Sequence, residues 1–127
     1  MGYLMDTHVL LWAMFEPGKL SQLVQEIIAD SSTSKFISVT SVWEIAIKNR
    51  IGKLQLPMGI DGVFNKLEAS DIGIIGIDRQ HIEIYTALPI LHRDPFDGII
   101  VATAILEKMT IITVDENIQK YDVPTLA

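Results

Sequence analysis

Short apolar runs alternate with helix-like segments along the whole chain. Runs typical of strands cover residues 2–5, 36–39, 72–77, 110–114 and 123–126. Segments with a helical spacing of apolar residues cover residues 8–15, 21–30, 42–50, 62–69, 81–88 and 96–108. The run at residues 72–77 is nearly continuous, which is typical of a strand covered on both faces. Strands that alternate with helices predict a parallel sheet between two helical layers, so we expect one α/β domain with three layers, α/β/α.

Composition narrows the function classes that such a domain can serve. The chain has 127 residues, 49% of them hydrophobic, and no cysteine, which excludes disulfides, thiolate zinc sites and cysteine nucleophiles. The net charge of −6 argues against a broad duplex-binding surface, so we expect no direct DNA binding by this chain. No apolar run reaches the roughly 18 residues of a membrane span. The apolar start of the chain contains Asp6 and lacks a preceding Lys or Arg, so we expect a cytoplasmic domain with no membrane partner.

Four acidic residues follow predicted strands or begin predicted helices. Asp6 directly follows the first strand, and Asp115 directly follows the late strand at residues 110–114. Glu44 and Asp97 lie in the first turns of the helices that follow the second strand and precede the late strand. Because ligands of open parallel sheets bind at the carboxyl ends of the strands, we expect these four side chains to face one site.

Each of these acids also has a structural explanation as a helix cap. Asp6 and Asp115 can cap the helices that follow them, and Asp97 suits the positive end of its helix. Glu44 completes a predicted capping box that begins at Ser41. Capping does not require all four acids at one edge, and clustered carboxylates repel one another unless a cation or a proton compensates them. Oxygen ligands with little histidine favour Mg²⁺ or Mn²⁺ over zinc.

Four sequence segments resemble those of a known family. They are Met5-Asp6-Thr7-His8, Ser41-Val42-Trp43-Glu44-Ile45-Ala46-Ile47-Lys48, His92-Arg93-Asp94-Pro95-Phe96-Asp97 and Thr113-Val114-Asp115. In this order and spacing they look like the PIN-domain ribonucleases, and most like the VapC-type toxins of toxin–antitoxin pairs. The resemblance covers essentially the whole chain and implies a PIN-like fold. The sequence departs from the family pattern at Gly98, where a long side chain, often Arg, is expected, which puts a local contact in doubt but not the acids.

The resemblance implies a metal-dependent endoribonuclease. By matching position, the implied catalytic and metal-binding residues are Asp6, Glu44, Asp97 and Asp115, which would hold one or two Mg²⁺ or Mn²⁺ ions that activate water. We expect supporting roles for Asp94, Thr7, Ser41 and Thr113, of which the last three have capping as an equal alternative. We expect phosphate contacts from Lys48 and Arg93, and a hydrogen-bonding role for the nearby His8 and His92.

The resemblance also implies RNA as the substrate and a cognate antitoxin protein as a partner. We expect a homodimer, and an apolar groove on the early helices that takes the antitoxin. Leu11, Trp12 and Phe15 are the side chains expected in this groove. The alternative for these three side chains is burial inside one monomer.

Two other functions remain open. A receiver-type phosphoacceptor module has a similar length, and the run at residues 72–77 followed by Asp78 could imitate its phosphorylated aspartate. It also needs paired acids after the first strand, where this chain has Asp6 followed by Thr7. A PIN-like domain that binds RNA or protein without cleaving is the second alternative. Divalent-dependent RNA cleavage, acetyl-phosphate labelling and metal-free binding would separate the three functions.

Overall fold

Five parallel strands form the central sheet of the computed structural model, which describes residues 2–127. The strands are β1 (Tyr3–Met5), β2 (Lys35–Ser38), β3 (Ile72–Ile75), β4 (Thr110–Ile112) and β5 (Thr125–Leu126). Their order across the sheet is β3-β2-β1-β4-β5, and each neighbouring pair is parallel. The predicted strands and the parallel sheet are therefore confirmed.

Helices connect these strands along the chain. They are α1 (Thr7–Phe15), α2 (Gln22–Ala29), α3 (Val39–Arg50), α4 (Gly59–Glu68), α5 (Arg79–Ala87), α6 (Pro95–Glu107) and α7 (Glu116–Gln119), with a 3-10 turn at Pro17–Lys19. Over residues 2–127, none of the helices has both the length and the apolar character needed to cross a membrane.

The two faces of the sheet carry separate hydrophobic cores. Successive residues of a strand point to opposite faces of a sheet. Met5 and Ile112 belong to the core formed with α1, α2, α3 and α4, whereas Leu4 and Ile111 belong to the core formed with α6. Two cores on opposite faces of one sheet make three layers, which confirms the predicted α/β/α architecture.

Helix α3 begins earlier than the sequence predicts. Val39 is its first residue, and the Ser38 hydroxyl caps it by accepting a hydrogen bond from the backbone N–H of Thr40 at 3.1 Å. The predicted capping box is wrong, because Ser41 already lies inside the helix and Glu44 lies in its second turn. The cap comes from the last residue of β2, so strand and helix join without a linker.

Strand β3 forms an edge of the sheet. Ile72 and Ile75 pack against the two cores, so both faces are partly covered, but the full cover predicted for the strand is wrong at Ile74. Within the described part of the chain it pairs only with β2, and the side chain of Ile74 is 42% exposed. An apolar run shows that a strand is favourable, but the place of the strand in the sheet depends on the topology of the whole chain.

The strand order also decides against one alternative function. Receiver-type modules have the order 2-1-3-4-5, with β1 between β2 and β3. Here β1 lies between β2 and β4. Asp78, the phosphoacceptor candidate, instead follows the edge strand and caps α5 through the backbone N–H groups of Gln80 and His81. The receiver alternative is therefore wrong.

Candidate active site

Asp6 and Asp115 lie at the carboxyl edge of the sheet and are joined through one threonine. Asp6 directly follows β1, is 3% exposed, and accepts a hydrogen bond from the Val9 N–H at 2.8 Å. The buried hydroxyl of Thr113 donates to the other carboxylate oxygen of Asp6, and the Asp115 N–H donates to the Thr113 oxygen at 2.9 Å. Because β4 ends at Ile112, Asp115 lies three residues beyond the strand and not directly after it. Thr113 therefore sets the position of both acids.

Glu44 is held at the same edge by one hydrogen bond from α1 and one from its own helix, α3. Its side chain accepts from the Thr7 hydroxyl at 2.8 Å and from the Lys48 ammonium at 2.8 Å. The Ser41 hydroxyl, which is fully buried, lies 3.0 Å from the Thr7 oxygen. Thr7 begins α1 immediately after Asp6, so this network ties the second turn of α3 to the end of β1.

Asp94 and Asp97 occupy the start of α6 as predicted. Asp94 is the N-cap and accepts from the Phe96 N–H at 2.9 Å, and Asp97 is buried two residues after Pro95. His92 Nε2 lies 3.5 Å from Asp97 Oδ2. One ligand atom each from His92, Asp94 and Asp97 lies within 4.8 Å of the others.

The close group of His92, Asp94 and Asp97 was not predicted as a group. Among residues 2–127, no other three His or acidic side chains approach one another this closely. No three members of the quartet Asp6, Glu44, Asp97 and Asp115 therefore come as close to one another as His92, Asp94 and Asp97 do. The segment His92-Arg93-Asp94-Pro95 was the available signal, because it places three polar side chains just before a helix that begins with proline.

The other three acids of the quartet nevertheless act electrostatically on Asp97. Burial, and after it the negative charges of Asp94, Asp115, Glu44 and Asp6 in that order, together raise the pKa of Asp97 to about 7. Burial also raises the pKa of Asp6, against the lowering effect of its hydrogen bonds. A buried carboxyl group that feels four other acids is costly to ionise unless a cation is near. Carboxylate oxygens with one imidazole are a donor set that suits Mg²⁺ or Mn²⁺, so the residues present fit a divalent cation.

The two cationic side chains predicted to contact phosphate lie in different surroundings. Lys48 is paired with Glu44 across one turn of α3, and 42% of its side chain is exposed. Arg93 is exposed and lines a cavity of about 410 Å³ together with His92 and Asp94. Lys48 therefore compensates part of the acidic charge, while Arg93 stands at the entrance of a neighbouring space.

Comparison with known proteins agrees with this fold. A family model described as "PIN domain" matches residues 3–124. No curated protein sequence matches the chain.

Solved structures share the fold over nearly the full length. FitAcB from Neisseria gonorrhoeae is 20% identical, covers 98% of this chain and 96% of its own, and has a TM-score of 0.71. VapBC2 from Rickettsia felis, bound to a DNA fragment from its promoter, is 17% identical, with coverages of 99% and 98% and a TM-score of 0.76. A toxin–antitoxin complex from Klebsiella pneumoniae is 18% identical, with coverages of 99% and 97% and a TM-score of 0.68. At these identities the likeness shows the fold.

Proposed function

The chain belongs to the PIN-domain family, and from this membership we propose that it is a divalent-metal-dependent endoribonuclease that acts in the cytoplasm as the toxin of a toxin–antitoxin pair. The observation that carries the proposal is the buried Asp97, whose pKa is raised to about 7 by burial and by the surrounding acids. A bound cation would compensate the repulsion among these acids, which helix capping alone leaves uncompensated. Similarity to the toxin–antitoxin complex from Klebsiella pneumoniae supports the biological role.

Asp6, Glu44, Asp97 and Asp115 are the residues that would hold Mg²⁺ or Mn²⁺. When bound, the cation supplies Lewis-acid activation of water and stabilises the charge that develops on the phosphate. Asp94 has a positioning role and does not contact the reacting atoms. Its side chain caps α6 and so fixes the direction from which Asp97 enters the site.

Hydroxyl groups and cations of the chain complete the site. Thr113 positions Asp6 by donating to its carboxylate. Thr7 positions Glu44 by donating to its carboxylate, and the Ser41 hydroxyl lies against the Thr7 oxygen. Positioned side chains of this kind orient ligands and raise their affinity for metal.

Two cations of the chain approach the phosphates of an RNA substrate. Lys48 is bound to Glu44 and half-exposed, and Arg93 is exposed beside Asp94. Both lie near the acids, so they attract the RNA backbone to the place where the cation is held.

A groove beside the acids fits an antitoxin segment. It has a volume of about 350 Å³ and is lined by the apolar side chains Val9, Trp12, Leu20, Val24 and Ile112. Its lining also includes the buried Thr113, the partner of Asp6. An amphipathic segment that fills this groove would lie next to the acids and could present an Arg or Lys to them.

The three side chains expected in the groove lie in different surroundings. Trp12 lines it, Leu11 packs against the hydrophobic core, and Phe15 is 38% exposed with the Lys66 ammonium 5.5 Å from its ring centre. Burial of all three side chains within one monomer is therefore wrong, because Phe15 is exposed.

We further propose that the chain forms a homodimer. Light scattering of the purified chain tests this, and a monomer at all concentrations would contradict it.

The ribonuclease proposal is tested by incubating the purified chain with structured RNA, single-stranded DNA and duplex DNA. Each substrate is assayed with Mg²⁺, with Mn²⁺ and with EDTA. We expect RNA to be cut internally with either metal, no cutting in EDTA, and inhibition by the protein encoded beside this chain. RNA binding without cleavage in both metals would contradict the proposal and favour a catalytically silent PIN-like domain.

A further inference from the structure

A cavity beside the acids carries features that metal binding does not explain. It has a volume of about 410 Å³, within the range of roughly 300–1,000 Å³ for small-ligand sites, and lies between the end of α5 and the start of α6. Its apolar lining comes from Tyr85, Leu88, Pro89, Ile90 and Tyr121. The cavity is therefore an apolar space next to a strongly acidic one.

Gly98 sets the position of the aromatic wall. A Cβ atom at position 98 would lie 2.4 Å from Cε1 and 2.8 Å from Cδ1 of Tyr85, closer than carbon atoms pack. The absence of a side chain therefore lets the Tyr85 ring lie directly against α6. Tyr85 is half-buried, so part of its ring remains free to contact a ligand. Glycine is unfavourable inside a helix, and this close approach accounts for its presence here.

The cavity shares its polar wall with the acids. His92 and Asp94 line the cavity, and both have a ligand atom within 4.8 Å of a carboxylate oxygen of Asp97. A nucleotide whose phosphate lies at the acids would therefore have its base within reach of the cavity.

The lining chemistry selects the class of ligand. The rings of Tyr85 and Tyr121 and several aliphatic side chains suit a flat heteroaromatic group. Thr86, His92, Arg93 and Asp94 offer hydrogen-bond donors and acceptors around it. A free anion is disfavoured, because the single guanidinium of Arg93 is adjacent to the Asp94 carboxylate. Sequence-specific recognition of single-stranded RNA commonly stacks unpaired bases on aromatic rings and on arginine.

We propose that this cavity binds the nucleobase of the nucleotide next to the scissile phosphate, with Tyr85 as the stacking residue and Gly98 as the position that lets its ring form the wall. The inference rests on the proposed ribonuclease function and deepens it, since it states where base identity is read. Tyr85 and Gly98 are specificity-determining residues and take no part in holding the cation.

The test is an NMR titration of the metal-free chain, in EDTA, with adenosine, guanosine, cytidine and uridine. We expect at least one nucleoside to shift the backbone amides of Thr86, Gly98 and Tyr121 in a saturable way. Since stacking on an aromatic ring corresponds to roughly 5–150-fold in affinity, Tyr85→Leu should weaken binding at least about 5-fold. Tyr85→Phe should bind nearly as the wild type does, because it keeps the ring.

Phe64→Leu is the matched control, because it removes a half-exposed ring on α4 that does not line the cavity. It should bind nucleosides as the wild type does. Absence of shifts at the cavity amides, or equal affinity of the wild type and Tyr85→Leu, would overturn the proposal. A changed oligomeric state of Tyr85→Leu with unchanged nucleoside affinity would also overturn it and identify the cavity as a protein contact.

Mapping of cut sites in a randomised RNA pool separates this inference from the ribonuclease proposal. Tyr85→Leu should lose the base preference beside the cut and raise KM at least about 5-fold, with kcat nearly unchanged. Nucleoside binding without any RNA cleavage would contradict the ribonuclease while supporting the base site. RNA cleavage by a wild type that binds no nucleoside would support the ribonuclease and overturn the base site.

Discussion

Asp97 shows how burial and neighbouring charge combine at a single residue. It lies at the start of α6 with only 7% of its surface exposed, and His92 is its nearest basic neighbour at 3.5 Å. Its pKa is raised to about 7, first by burial and then by Asp94 and the other acids. When Asp97 ionises without a cation, it repels carboxylates that cannot move away because their hydrogen bonds hold them. A bound divalent cation removes this repulsion, which is why we expect the residue to matter more for activity than for folding.

The two acids at the start of α6 should differ in their effect on cleavage. Asp97→Asn should lower the rate of RNA cleavage in Mg²⁺ by at least about 100-fold, because it removes a charged ligand. Asp94→Asn should lower it by about 10-fold or less, because Asn can still cap α6 and orientation is only partly lost. Single-turnover cleavage of one RNA by both variants measures this. The reverse ranking would exchange the roles of Asp94 and Asp97.

The raised pKa of Asp97 predicts an unusual pH dependence of stability in EDTA. An unfolded Asp has a pKa of about 3.9, so between about pH 4 and pH 7 the folded chain keeps a proton that the unfolded chain has released. The stabilisation of the folded chain by the proton on Asp97 is complete below about pH 4 and is lost as the pH rises through 7. Asp97→Asn removes this dependence, so its free energy of unfolding relative to wild type should rise by about 1–3 kcal/mol from pH 5 to pH 8.

Urea denaturation of both proteins at the two pH values measures this difference. Added Mg²⁺ is the control, because it should stabilise the wild type at pH 8 and remove the advantage of Asp97→Asn. A difference in stability that is the same at both pH values would contradict the assigned environment of Asp97.

Hydrogen bonds between residues close in sequence made the placement of some site residues predictable. Contacts between segments distant in sequence could not be predicted. Asp6, Asp94 and Asp115 each accept an N–H from a residue two or three positions later, so a sequence pattern predicts their placement. The contact of Tyr85 with Gly98 depends on how α5 packs against α6. The approach of His92 to Asp97 depends on the path of the loop between these helices.

At the scale of elements, one buried lysine joins the edge strand to the rest of the sheet. Lys35 begins β2, and its side chain is fully buried. Its ammonium donates to Asp71 at 2.8 Å, just before β3, and to the backbone carbonyl of Asp30 at 2.8 Å. The hydrogen bond from Lys35 holds the pKa of Asp71 below its usual value. This pair therefore stabilises the end of the sheet opposite the acids.

Asp71→Asn should lower stability at neutral pH, because it leaves the buried ammonium of Lys35 without its carboxylate partner. We expect a decrease of several degrees in the Tm at pH 7. A carboxyl with a lowered folded-state pKa stabilises the fold above the unfolded value of about 3.9, and this is lost as the pH falls through the lower value. The difference in Tm between the variant and wild type should therefore shrink at pH 3.

Thermal melts at pH 7 and pH 3 check this, with Asp61→Asn as the control, since Asp61 is exposed on α4. Equal melting temperatures of Asp71→Asn and wild type at pH 7 would show that the pair contributes nothing.

Helices and strands were predictable where the apolar spacing agrees with the capping residues. They were less predictable where the arrangement of the whole chain determines where an element begins or how far it is buried. Ser21 caps α2 as predicted, and Asp94 caps α6. The start of α3 was misplaced because Ser38 and Ser41 both suit a cap in sequence, and the end of β2 selects Ser38. The exposure of Ile74 could not be predicted, because the apolar run of β3 does not show which helices pack over its faces.

At the scale of the whole molecule, two separate cavities include residues that contact or neighbour the acids. The groove on α1 and α2 includes Trp12 and reaches Thr113, and the cavity between α5 and α6 includes Tyr85 and reaches His92. The acids therefore adjoin both the surface proposed for an apolar protein segment and the space proposed for a base. This arrangement allows one partner to cover the site that another occupies.

The groove on α1 and α2 predicts that Trp12 contributes strongly to antitoxin binding. Trp12→Ala should weaken the complex with the protein encoded beside this chain at least about 10-fold, as is usual for a tryptophan in a binding groove. Trp43→Ala is the matched control, because Trp43 is 60% exposed on α3 and does not line the groove. Calorimetric titration measures both variants. Equal losses for the two, or no loss for Trp12→Ala, would place the antitoxin elsewhere.

The claim that Asp6, Glu44, Asp97 and Asp115 together hold a divalent cation is tested most directly by a crystal structure of the chain with Mn²⁺. The anomalous signal of manganese locates the ion without ambiguity about its identity. We predict a peak in contact with carboxylate oxygens of Asp6 and Asp97 and of at least one of Glu44 and Asp115. A peak held only by the closer group of His92, Asp94 and Asp97, or no peak at the carboxyl edge of the sheet, would contradict the claim.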